Sequence, residues 1–227
     1  MNSERHNSFN LVHKGLRVFL YDTATQLQRA DLSSEKSIEV IHHIELLLRL
    51  FESHAHNEDT YFNTPLEQVN PSVARLFEAE HQEDHRLSIV IDNLIHSWKK
   101  ATNADKRKET GRLLFYAFNE FIAFNLYHMN KEEIQLNEAL WKEYSDDSIR
   151  ATEQALVQSI PPDKMAMYAQ WMLKGNNDED LRKWLTEVRD HAPAEVFGFM
   201  MDLASKELAP QRFDRLHSSL SKKMAVV

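Results

Sequence analysis

The chain is 227 residues long and 42% hydrophobic, with a formal net charge of −8 and no cysteine. That length sustains one large domain or a domain with an extension, and the missing cysteines exclude disulfides, thiolate metal sites, iron–sulfur ligation by this chain and a cysteine nucleophile. The acidic balance gives no reason to expect nucleic acid, and only four glycines and six prolines suit a mostly helical protein better than a turn-rich β sandwich.

Phe9, Leu16, Leu20, Ala24 and Leu27 share one stripe at spacings of three, four and seven, which predicts a first helix from about Ser8 to Ala30 with His13 inside the stripe. The polar DLSSEKS follows, with Ser33 or Ser34 as the cap of a second helix running from about Glu35 to Phe62. Pro65 and Pro71 bracket the next connection, and Ser72 is expected to cap a third helix that ends near Lys100. ATNADKRKET leads into a fourth helix, about Asp105 to Trp141. Four long helices with short links predict an all-α fold: an antiparallel up-down-up-down four-helix bundle over residues 1–145. Shorter amphipathic pieces, punctuated by SIPP, GNNDED, HAP and LAP, predict a helical C-terminal extension over 146–227 that packs on the bundle. No apolar stretch reaches membrane-spanning length, and MNSERHNSFN lacks the continuous apolar core of a signal peptide. The expected location is the cytoplasm.

Twelve histidines are unusual, and most fall in the first 130 residues. Residues four apart lie about 40° apart on one helix face. His54 and Glu58 form H-x-x-x-E on the side of Leu47, Leu50, Phe51 and Tyr61. His128 and Glu132 repeat the motif on the side of Leu114, Ala117, Phe121 and Phe124. EHQEDH places His81 and His85 one turn apart on the third helix, with His85 away from the centre of the apolar stripe. Each piece alone reads as a surface pair or a satisfied core histidine. Their coincidence on four helices points to metal ligands, because burying so many polar groups without partners costs a few kcal/mol apiece. Imidazole and carboxylate without thiolate suit iron, manganese or zinc. Two six-coordinate irons offer about twelve positions; this ligand set with a bridging oxygen fills about eleven and leaves one open for a reversibly bound ligand.

The motifs LVHKGL, HAHNE, EHQEDH and HMNKEE, spread over residues 8 to 141, resemble hemerythrins and the wider HHE cation-binding group. The resemblance implies an oxo- or hydroxo-bridged di-iron centre held by His13, His54, Glu58, His81, His85, His128 and Glu132, with the two glutamates bridging. It further implies a protein that binds O2 or NO for storage, sensing or scavenging. A di-iron oxidase, peroxidase or NO reductase is the enzymatic alternative, and iron donation for repair of iron centres is a third. Oxygen-carrying hemerythrins place an aspartate five residues after the last histidine. Here Glu132 stands at four and Glu133 at five, and Glu132 keeps to the metal face. Relatives that repair iron centres typically add a cysteine-bearing N-terminal segment, and the absence of cysteine from this chain weighs against that role.

Several neighbouring side chains carry further expectations. Glu80 and Asp84 are placed to accept hydrogen bonds from ligand imidazoles, or to form a rim salt bridge. Tyr61 and Tyr127 are candidates for the pocket wall or for the core. Phe115, Phe118, Phe121 and Phe124 are expected mainly in the core, and His43 and His56 outside the ligand set. The C-terminal helices are the expected surface for a second copy or a protein partner.

Overall fold

The structure is a computed structural model that describes residues 5–221. Met1–Glu4, part of the stretch read for a leader, lie outside the described residues. Every regular element among those residues is helical: α1 (Asn10–Arg29), α2 (Ile38–Glu58), α3 (Thr64–Val69), α4 (Pro71–Lys99), α5 (Ala104–Lys131), α6 (Asn137–Glu143), α7 (Asp146–Ser159), α8 (Pro162–Gly175), α9 (Asp178–His191), α10 (Ala194–Glu207) and α11 (Pro210–Ser221). None is long and apolar enough to cross a membrane.

The helix starts follow local chemistry. Ser34 takes the N-cap position of a 3₁₀ turn, Glu35–Ser37, and its side chain accepts from the Lys36 N–H at 3.2 Å. α4 begins one residue before the expected Ser72. Pro71 occupies the first helical position, where its missing N–H costs nothing, and Ser72 instead donates its hydroxyl to Asn70 Oδ1. Asn103 caps α5 through the Lys106 N–H at 2.9 Å.

The second and fourth predicted helices are not continuous. π-helical turns interrupt them at Asp59–Asn63 and at Glu132–Leu136. Such turns carry one extra residue, and after Glu58 and Glu132 both the fourth residue (Phe62, Leu136) and the fifth (Asn63, Asn137) are buried.

The chain divides into two compact units. One comprises residues 1–9 and 19–160, the other residues 10–18 and 161–227. The division after Ile160, rather than near 145, assigns α7 to the first unit, and the first nine residues of α1 count with the second. In the first unit α4 packs along α5 and against α2. One end holds an apolar cluster around Phe9, Phe62, Leu66, Phe77 and Leu140. The second unit is built on Leu173, Leu181, Leu185, Met200 and Leu216. There Gly15 permits close contact, since a Cβ would come within 2.8 Å of the Met172 nitrogen. Asn176 ties the turn after α8 to α1 by donating to the Leu11 carbonyl at 2.9 Å.

Candidate metal centre

Three helices of the first unit aim polar side chains into its interior. α2 supplies His54 and Glu58, α4 supplies His81, and α5 with its π turn supplies His128 and Glu132. One ligand atom from each of Glu58, His81, His128 and Glu132 lies within 4.8 Å of the others. Glu58 is 2% exposed and Glu132 fully buried, so two carboxylates share a pocket that would ordinarily refuse them.

The arrangement is nearly symmetric. His54 Nε2 stands 3.1 Å from Glu58 Oε1, and His128 Nε2 stands 3.2 Å from Glu132 Oε1. His81 Nε2 faces both carboxylates, 3.5 Å from Glu58 Oε2 and 3.5 Å from Glu132 Oε1. The last two separations are long for hydrogen bonds. They suit the edges of a coordination polyhedron: ligands about 2.1 Å from a metal sit about 3.0 Å apart in an octahedron and about 3.4 Å in a tetrahedron. The donor set therefore fits a metal ion, and its nitrogens and oxygens without sulfur fit iron, zinc or manganese.

Outer carboxylates fix the imidazoles. His81 Nδ1 is 2.7 Å from Asp59 Oδ1, which also accepts from Asn63 Nδ2 at 2.7 Å. His128 Nδ1 is 2.9 Å from Glu80 Oε2, and Glu80 is paired in turn with Lys131. A proton held on Nδ1 leaves Nε2 to face inward, the usual construction behind a metal-bound histidine. Burial pulls the His81 pKa down, but Asp59, Glu132 and Glu58 outweigh it and push the value up to about 12. For His128, burial is likewise overcome, by the charge and hydrogen bond of Glu132 and by Glu80, giving about 10. Burial and the facing Glu58 raise the Glu132 pKa, yet His128 and His81 hold it below the ordinary range. Without metal, then, two imidazolium cations balance the buried carboxylates.

Aromatic rings close around these groups. Phe124 stacks on His128 with centroids 5.9 Å apart, Phe77 lies 6.1 Å from the same ring, and Phe51 meets Phe121 edge-on at 5.4 Å.

The structure brings together Glu58, His81, His128 and Glu132, with His54 beside Glu58. His13 is wholly buried on α1. His85 is a correction: it is exposed, and Asp84 takes the buried position beside it. The α4 face turned to α5 passes through His81, Asp84 and Leu87, which leaves His85 outward. Glu80 serves His128 as expected, whereas Asp84 accepts from Asn125 Nδ2 at 2.6 Å. Tyr127 is 70% exposed under the Lys131 ammonium rather than lining a pocket, and Tyr61 packs on the apolar cluster. Phe118 and Phe121 are fully buried, with Phe115 and Phe124 partly so. His56 is exposed, and His43 pairs with Asp22 at 3.2 Å.

Sequence reasoning missed Asp59, Asn125 and the two π turns. A signal for the turns was present. His54, Glu58 and Asn63 repeat as His128, Glu132 and Asn137, so each H-x-x-x-E is followed by a buried asparagine five residues on. No family model, curated protein or solved structure matches the chain.

Proposed function

We propose that the chain is a hemerythrin-like non-haem di-iron protein, an antiparallel four-helix bundle that binds O2 or NO for storage, sensing or scavenging. The observation that carries this reading is the pair of His/Glu motifs converging on one imidazole, with Asp59 and Glu80 holding the rings from behind. Glu58 and Glu132 are assigned as bridges. With the two glutamates, His81 and His128 would hold one metal and His54 the other, and the motif LVHKGL adds His13 to the set by its resemblance alone.

Helical register agrees with that addition. In α1 His13 lies in the same apolar stripe as Leu16 and Leu20. Phe19, Leu20 and Thr23 continue the buried stripe beyond it. The iron pair, when bound, supplies electrons and an open coordination position for a diatomic ligand. The protein's part is to orient the imidazoles, neutralise the metal charge with two carboxylates, and exclude water with Phe77, Phe121 and Phe124. An apolar collar of this kind admits an apolar gas more readily than a charged substrate.

The test is an absorption spectrum of the iron-loaded, anaerobically reduced protein before and after aeration. A charge-transfer band that appears with O2 and disappears on its removal is expected. An iron-loaded protein that stays featureless contradicts the reading, and sustained O2 consumption with a reductant would make it an oxidase instead.

A further inference from the structure

A cleft of about 510 Å³ opens between α2 and α4 in the first unit. Its mouth is strongly acidic. Glu45, Glu52, Glu78 and Asp92 line it, with Arg49 as the one cationic side chain there. Glu45 is held by Lys99 at 2.6 Å, whereas Glu52, Glu78 and Asp92 form no ion pair among the described residues. Two exposed histidines that the centre leaves aside, His56 and His85, stand on the same walls. The cleft deepens to Asp59, Asp84 and His81. His81 is only 6% exposed, and its Nε2 has no hydrogen-bond partner. The lining thus runs from exposed carboxylates, past exposed imidazoles, to Asp59 and the His81 ring that it holds by Nδ1, whose other nitrogen faces the centre.

Asp92 shows how concentrated the negative field is. Its carboxyl is held above the ordinary range by burial, and then by Glu45 and Glu52. Arg49 and Lys99 offset only part of that charge, and carboxylates in excess of their cations destabilise a surface and are a poor structural device. Their use is clear if a cation passes between them: a groove of one sign with low-dielectric walls raises the local concentration of the opposite charge.

We propose that this cleft is the loading path of a divalent cation, in which Glu52, Glu78 and Asp92 draw the ion in and His56 and His85 carry it to His81. The proposal rests on the metal-centre reading above. It gives His85 a role at the surface that its outward position denies it in the centre.

The test is the rate at which Co2+ enters the metal-free full chain, followed by stopped-flow visible absorption, with final metal per chain measured separately. Three proteins are compared with wild type. Glu52→Gln/Glu78→Gln/Asp92→Asn removes the mouth charges, and His56→Asn/His85→Asn removes the imidazoles. Glu109→Gln/Glu120→Gln/Glu143→Gln removes as many exposed charges from α5 and α6 and serves as the control. The mouth variant is expected to load about tenfold more slowly with a flatter dependence on ionic strength, while reaching the same final metal content. The histidine variant also slows, and the control keeps the wild-type rate. Wild-type rates in both cleft variants, or equal slowing in the control, overturn the proposal. A wild-type chain that takes up no Co2+ at all overturns the metal centre and the path together.

Discussion

Metal loading of this chain should expel protons, and the number follows from the site. In the metal-free protein His81 and His128 titrate at about 12 and about 10, so at pH 7.5 both rings are cations. A metal needs the neutral ring, so binding at pH 7.5 releases about two protons from this pair. The apparent affinity then rises about 100-fold per pH unit, about 2.7 kcal/mol, and the slope falls toward one proton above about pH 10 as His128 loses its own. The metal-free fold behaves oppositely. Both folded values lie above the ordinary 6.5, so their stabilisation is complete below pH 6.5 and is lost as pH rises toward about 10 and then about 12. Isothermal titration of Zn2+ at one pH, in buffers of different ionisation enthalpy, reads the proton count directly. Repeating it from pH 6.5 to 8.5 reads the slope. Zero protons, with an affinity indifferent to pH, refutes the electrostatic description of the centre.

Three substitutions separate the ligands from their neighbours. Asp59→Asn leaves His81 in place but removes the carboxylate behind its Nδ1, and metal affinity should fall about 10- to 100-fold in a competition titration. His81→Ala should cost metal binding outright. His85→Ala, one turn further along α4 and exposed, should leave equilibrium metal affinity unchanged and shift stability by no more than about 0.5 kcal/mol in urea unfolding.

The sequence carried the site further than its surroundings. His54, Glu58, His128 and Glu132 were legible because helical spacing fixes which side chains share a face, and their neighbours on that face were apolar. His81 was legible by the same means, but its partner needed the facing helix. His85 already lay off the centre of the apolar stripe, and the packing of α4 against α5 buries Asp84 beside it and leaves His85 exposed. Asp59 opens the π turn, and its role is legible only in its contact with His81 on another helix, which no spacing within α2 encodes. The helix limits depended on caps and proved approximate. Pro71 displaced Ser72, and the boundary between the units came after α7 because Ile149 packs with Phe9, Phe62 and Leu140. Which unit the start of α1 joins rests on close backbone contact at Gly15 and Gly175, which no hydrophobic period encodes.

The central claim is that buried imidazoles and glutamates hold two metal ions together. Elemental analysis of the iron-loaded chain after gel filtration tests it most directly, alongside the Glu58→Gln/Glu132→Gln double variant. Two irons per wild-type chain and none retained by the variant is the expected result. A wild-type chain that emerges without iron, or a variant that keeps its full complement, would contradict the account.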